Sequence, residues 1–309
     1  MKHIKCNLCE KDDGEKILSG RDRWATNDPT IFDLVRCRNC ALVYIDPQPT
    51  EEELTKFYPV NYSPYNAEYQ IFHYGYLLNF FKKLKRAIRP RKLAVIDTKP
   101  HAIDQEVAPK RVLDFGCGSG RFLKLLEDKH PDWTLYGFDI ATNRQIEKMN
   151  SRIKIYRGQI QYILDNLAPQ SLDIIYLNNS LEHLNDPTKT LRLLIPLLKH
   201  GGEISIEVPN IDSIKFKIFG KHFSSLDIPR HLYMFSPITL GALLQKNDLV
   251  IQKTLLGGSP KGLLRSFYFF LHIERQSFNP LLFRLASLII KLTGNRLNDD
   301  GITMTATKN

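Results

Sequence analysis

The sequence predicts an α/β fold: a mostly parallel, Rossmann-like sheet with helices on both faces. A small metal-holding ribbon precedes it, and a helical insertion interrupts it before the last strand. Three observations predict this arrangement. From Lys110 onward, short apolar runs rich in β-branched residues alternate with helical patterns, as repeated strand–helix–strand units require. One of those runs, VLDF, passes through GCGSG into RFLKLL, which reads as strand, glycine turn and helix start. Ahead of them, Cys6-x-x-Cys9 and Cys37-x-x-Cys40 repeat a single spacing.

Composition sets the outer bounds. The 309 residues suffice for one large domain and a smaller module. Hydrophobic residues at 43% and charged residues at 25% suit a globular chain and give no case for disorder. The formal net charge of +10 favours an anionic partner, whether nucleic acid, a phosphorylated substrate or an acidic membrane surface. MKHIKCNLCEK holds no apolar signal core, and no run approaches ~20 uncharged apolar residues. A cytoplasmic chain is expected, with the inner face of the membrane as its alternative station.

Residues 1–58 read as a zinc-ribbon-like module. Without a signal peptide, paired CxxC turns point to thiolate ligation rather than disulfides. Cys6, Cys9, Cys37 and Cys40 would close a tetrahedral Zn2+ site with no open position, so that metal is structural; four unrelated buried thiols are the alternative. ALVYIDPQP suggests a strand on the small core, and Thr50 with Glu53 has the form of a capping box. Residues 59–104 form a linker with an amphipathic helix. Leu77, Phe81, Leu84 and Ile88 share its apolar face, Lys82, Lys83, Lys85 and Arg86 fill the rest, and Pro90 ends it. The basic face is either solvated or a docking surface for phosphates or anionic lipid.

Residues 105–257 carry the sheet. RVLDF, TLYGFDI, IKIYR, LDIIYL, GEISIEV and LVIQKTLL read as strands. RFLKLLEDKH, NRQIEKMN, a short segment near 160–167, TKTLRLLIPLLK and SPITLGALLQKN read as helices. Residues 258–309 hold the insertion and a last strand, ITMTATK. Within the insertion, Leu263, Leu264, Phe267, Phe270 and Leu271 form one apolar stripe, and Leu285, Leu288, Ile289 and Leu292 form another. Helices that cover the core or dimerise are one reading; an anchor on a membrane surface is the other, because basic residues are interspersed.

The glycine turn discriminates among ligands. Gly116, Gly118 and Gly120 are spaced GxGxG, so no Walker loop is present, and Arg121 stands where a dinucleotide turn places its third glycine. Asp114 ends the preceding strand. A carboxylate there would repel a pyrophosphate and attract an ammonium group. A ligand with an amino-acid end and a nucleoside end fits, and S-adenosylmethionine is such a ligand. Asp139, ending the next strand, can accept both hydrogens of a ribose diol.

VLDFGCGSGRFL, YGFDIA and LDIIYLNNSLEHLNDP resemble the successive motifs of class I S-adenosylmethionine-dependent methyltransferases, over roughly residues 105–256. With CNLC and CRNC in front and IPRHLYMFSPITL late in the chain, the whole resembles bacterial members with an N-terminal zinc ribbon, some acting on nucleotide-linked sugars and natural products. The resemblance implies that Asp114, Gly116, Gly118 and Gly120 contact the methionyl end. It implies that Asp139 binds the ribose, that Ile140 packs on adenine, and that Gln159 and Ile160 belong to the adenine side. Gln159 replaces an acid common in the family, and its carbonyl retains an acceptor. Asn178 would face the cofactor or acceptor. Cys117 is a spacer.

Methyl transfer to a hydroxyl or acidic C–H needs a base, and imidazole suits neutral pH. His231, in DIPRHLYMFS, and His183, in SLEHLND, are the candidates; by resemblance His231 is the base and His183 shapes the pocket. Glu182, Arg230 and Tyr233 could orient an acceptor. The expected partner is a small-molecule acceptor, a sugar, glycolipid or polysaccharide precursor that is nucleotide- or lipid-linked, with peripheral membrane contact in view. RNA methylation through the ribbon and basic helix, and a non-catalytic cofactor-binding scaffold, are the alternatives. The oligomeric state is not legible.

Overall fold

The computed structural model describes residues 1–23, 28–58, 108–140, 152–271, 280–293, 297 and 299–309. The basic helix expected at 77–92 and the pattern NRQIEKMN lie outside these residues. The N-terminal part contains β1 (Gly14–Gly20), β2 (Phe32–Cys37), β3 (Val43–Ile45) and α1 (Glu51–Thr55). The expected capping box is present: Glu53 N donates to Thr50 Oγ1 at 3.2 Å, and Thr50 N donates to Glu53 Oε2 at 2.9 Å.

The main body begins β4 (Arg111–Phe115), α2 (Arg121–Lys129), β5 (Thr134–Asp139), β6 (Lys154–Arg157), α3 (Gln161–Asn166), β7 (Leu172–Asn178) and α4 (Pro187–Leu194). It continues β8 (Leu198–Pro209), α5 (Ile214–Phe219), β9 (Tyr233–Met234), α6 (Pro237–Lys246) and β10 (Leu249–Gly257). The insertion supplies α7 (Pro260–Phe270) and α8 (Pro280–Leu292), and β11 (Gly301–Lys308) closes the chain. Helix starts follow local chemistry. Asp186, Ser236 and Ser259 each cap a helix through a side-chain oxygen, and each is followed by proline at the first helical position.

The large sheet runs β10-β11-β8-β7-β4-β5-β6. Strands β4 to β8 pair in parallel, and β11 is antiparallel to both β8 and β10. The chain steps outward from β4 to β6 and returns to β7, so the order reverses at β4/β7. Ligands of open α/β sheets sit beyond the carboxyl ends of the strands at such a reversal. Both faces are covered: Val112, Leu135 and Ile174 pack with Leu123 and Leu126 of α2, while Leu113 and Ile175 face the larger core. One boundary differs from expectation. The helical pattern runs to Lys199, yet α4 stops at Leu194 and β8 begins at Leu198, because Pro196 has no N–H with which to extend the helix.

The ribbon is not a separate body. Tyr233 and Met234 pair with Tyr44 and Val43, giving a small sheet ordered β1-β2-β3-β9 whose last strand comes from the main body. Asn7, between the first two cysteines, donates to Asp186 Oδ1 at 2.8 Å and accepts from Thr188 N at 3.2 Å. The domain boundary expected near residue 58 is therefore a boundary of sequence; in packing, the two parts share a sheet. Among the described residues no helix is long and apolar enough to cross a membrane.

Candidate active site

The β4–α2 turn is built by backbone geometry. Gly116, Gly118 and Gly120 all adopt positive φ, at 81°, 51° and 69°. Gly116 N and Cys117 N donate to Phe138 O at 2.7 and 2.9 Å, binding the turn to β5. Gly118 N donates to Asp139 Oδ2 at 2.8 Å, so one oxygen of that carboxylate also holds the turn in shape. A Cβ at Gly116 would lie 2.2 Å from Ser180 Oγ. Gly116→Ala thus meets both a steric clash and left-handed backbone strain. It is expected to weaken S-adenosylhomocysteine binding roughly thirty- to hundredfold by calorimetry, and adding Ser180→Gly should recover the steric share.

Asp114 is buried at 2% exposure, and its Oδ1 accepts no hydrogen bond among the described residues. Burial, and then the charge of Asp139, push its carboxyl up to about 7. An acceptor stranded in a dry wall calls for a cationic donor, and the ammonium of S-adenosylmethionine is one, so the residues present fit that ligand. Ile140, just past β5, is 72% exposed. Gln159 is exposed and Ile160 half-buried at the start of α3. Asn178 ends β7, half-buried. All the residues expected to bind the cofactor thus follow or end β4, β5, β6 and β7. Cys117 is buried, and burial keeps its thiol protonated.

Beyond β7 a 3-10 turn, Leu181–His183, brings Glu182 and His183 against His231. The two imidazole rings meet edge to face with centroids 4.6 Å apart. His231 Nδ1 lies 3.0 Å from Ser225 O, and His183 Nδ1 lies 3.0 Å from Arg230 O. A carbonyl only accepts, so His231 Nδ1 carries the hydrogen and its Nε2 the lone pair; His183 Nδ1 also lies 3.2 Å from the Tyr58 hydroxyl. Burial lowers both imidazoles, His183 to about 3; they are neutral at physiological pH. Glu182 is fully buried, its Oε1 is 3.9 Å from His231 Nε2, and neither oxygen accepts a hydrogen bond among the described residues. Burial pushes its carboxyl up to about 8.

Arg230 does not orient an acceptor. It is fully buried, bonding bidentately to Asp22 at 2.7 and 2.9 Å and to Asp227 at 2.7 and 2.9 Å, and donating to Phe57 O at 2.7 Å. Those bonds use its donors to join the ribbon to the loop before His231. Tyr233 is likewise buried, its hydroxyl donating to Asn185 O at 3.1 Å. Ser180, the buttress of Gly116, has no sequence signal beyond a small residue following a strand.

The four ribbon cysteines converge, with their sulfurs all within 4.8 Å of one another. Cys6 and Cys40 Sγ are 3.4 Å apart, and Cys9 and Cys37 Sγ are 3.5 Å apart, near the ~3.8 Å that tetrahedral Zn–S geometry sets. Both turns are built alike. Glu10 N donates to Cys6 O and Ala41 N to Cys37 O, with Glu10 and Ala41 each at φ 63°. This thiolate-only set could hold a soft, tetrahedral cation and leave it no open position.

The chain is similar to known methyltransferases. A family model described as a methyltransferase domain matches residues 73–254, more than half of the chain. The chain belongs to that family and is a class I S-adenosylmethionine-dependent methyltransferase. A ubiquinone biosynthesis O-methyltransferase of Pseudomonas fluorescens is 27% identical over 168 residues, spanning 50% of this chain and 71% of the relative. A trans-aconitate 2-methyltransferase of Rhodopseudomonas palustris is 30% identical over 111 residues, spanning 34% of this chain and 41% of the relative. A solved S-adenosylmethionine-dependent methyltransferase from Archaeoglobus fulgidus is 20% identical with a TM-score of 0.47, covering 78% of this chain and 98% of its own.

Proposed function

We propose that the enzyme methylates a small-molecule acceptor, a sugar, glycolipid or polysaccharide precursor, with His231 as the base and His183 shaping its pocket. The observation that carries this reading is the buried, neutral His231, whose Nδ1–H is fixed on Ser225 O so that Nε2 is free of a proton. The names of the two relatives, concerned with ubiquinone biosynthesis and with trans-aconitate, support a small acceptor. The motif resemblance supports a nucleotide- or lipid-linked sugar.

When bound, S-adenosylmethionine supplies an electrophilic methyl group on a sulfonium leaving group. The protein's work is alignment and exclusion of water. Asp114 holds the ammonium, the glycine turn accepts the methionyl end, and Asp139 takes the ribose diol while bracing the turn. Ile140 packs on adenine, with Gln159 and Ile160 at its edge. Asn178 faces the reacting end. His231 Nε2 would take the proton that the acceptor atom gives up on being methylated. Glu182 beside it, held protonated at neutral pH by burial, adds no negative charge next to His231, so the imidazole stays neutral until it takes the acceptor's proton.

Isotope-labelled methyl transfer into nucleotide-sugar, glycolipid and RNA fractions tests the reading. Label in the sugar or lipid fraction supports it, and label in RNA alone overturns it. His231→Ala should lower kcat by roughly 10²- to 10⁴-fold with S-adenosylhomocysteine affinity unchanged. Activity retained in both His231→Ala and His183→Ala would remove both from proton chemistry. We further propose a structural Zn2+ on Cys6, Cys9, Cys37 and Cys40. Elemental analysis should find one zinc per chain, lost in Cys37→Ser.

A further inference from the structure

We propose that α8 docks the enzyme on a lipid bilayer surface carrying anionic headgroups. The helix has two apolar faces. Ala286 and Ile290 are buried with Leu263, Leu264 and Tyr268 of α7, which is the core-covering role the sequence allowed. At 3.6 residues per turn, Leu281, Leu285, Leu288 and Leu292 fall within about 60° of arc, roughly 150° round from that buried face. All four are exposed, Leu281 at 72% and Leu292 at 77%, and Ile289 at their margin is exposed as well. A helix that only covered a core would present polar groups on that outer face.

Charge selects the occupant. Arg284 and Lys291, two turns apart, border the leucine stripe on one side, and Arg265 is exposed on the neighbouring α7. No residue from 280 to 293 is acidic. A two-fold contact with a second copy would bring Arg284 and Lys291 of each chain toward those of the other, like charge on like. Leucines flanked by basic residues match the acyl boundary and anionic headgroups of a membrane interface.

The placement has a use. Gly262 O and Ser266 Oγ of α7 bond Ser224, at 3.1 and 2.9 Å, and the adjoining Ser225 O holds His231. One helix therefore lies between the docking face and the segment that fixes the imidazole. Docking here does not depend on which acceptor is methylated.

Co-sedimentation of the full-length, metal-loaded protein with phosphatidylcholine vesicles, with and without phosphatidylglycerol, tests this. The wild type should sediment with the anionic vesicles, less with phosphatidylcholine alone, and less at high salt. Leu285→Gln/Leu288→Gln should lower the vesicle affinity roughly tenfold or more. Lys291→Glu should lower it about fivefold or more. S-adenosylhomocysteine binding should be unchanged in both, which reports that each has folded. Absence of wild-type sedimentation, or equal sedimentation of wild type and leucine variant, overturns the proposal. So does a dimer, seen by analytical ultracentrifugation without lipid, that the leucine variant abolishes.

Discussion

Asp114→Asn is expected to bind S-adenosylhomocysteine about 10- to 100-fold more weakly than the wild type, while the ligand-free protein becomes more stable. The two effects share one cause. Asp114 Oδ1 is a buried acceptor with no hydrogen bond among the described residues, and burial holds its carboxyl near 7 instead of the ordinary 3.8. In the folded chain the group keeps its proton up to about pH 7, whereas the unfolded chain releases it near 4. The folded state thus binds more protons in that window, and stability falls as pH rises through it. Asparagine has the same shape and no charge to strand, so this share of the slope disappears. The part due to Glu182, raised to about 8 by burial, remains. Cofactor affinity is expected to run the other way: on the proposed role of Asp114, the carboxylate that would meet the ammonium forms as pH rises through about 7, so binding should strengthen there in the wild type and lose that dependence in Asp114→Asn. Calorimetry across pH 5.5–8.5 and thermal unfolding of the ligand-free protein measure both arms on the order of these pKa values.

Arg230→Met should cost about 3–5 kcal/mol of folding stability. The guanidinium is fully buried and bonds two aspartates; removing it takes from Asp22, itself buried, its bidentate ion-pair partner. Against a total of about 5–15 kcal/mol for a typical domain, that loss is enough to release the ribbon from the main body. Urea unfolding should show a lower midpoint for Arg230→Met. In Arg230→Met/Asp22→Asn the loss should be smaller than the sum of the single losses, because the charge that lost its ion-pair partner is gone. Equal and additive losses would mean that the pair acts through packing alone.

What was legible in the sequence shares one property: it is local. GCGSG declares itself because three alternate residues need positive φ beside a strand end. The strand ends that carry Asp114 and Asp139 follow from the apolar runs on either side of that turn, and the repeated CxxC spacing announces the four-cysteine cluster. The proline that follows each of Asp186, Ser236 and Ser259 marks a helix start. What was not legible joins residues far apart. Asp22 and Arg230 are separated by 208 positions, so nothing near Arg230 distinguishes a buried ion pair from an acceptor-binding side chain. Asp227 three residues earlier was the available hint. Strand β9 is two residues long, too short for any periodicity. The contact of Ser180 with Gly116 depends on how β7 registers beside β4, which no pattern within either strand states.

The borrowed strand has a consequence for synthesis. Chains leave the ribosome amino end first, and early parts often fold before later ones exist. Here the ribbon's sheet is completed by Tyr233 and Met234, and the pocket for Arg230 is lined by Asp22 and Phe57 O. The ribbon therefore waits, its edge uncovered, until Tyr233 and Met234 have been translated. Nascent chains arrested before residue 230 should expose that edge to proteases and chaperones, and transplanting residues 1–58 alone onto another catalytic body would carry over an unfinished part.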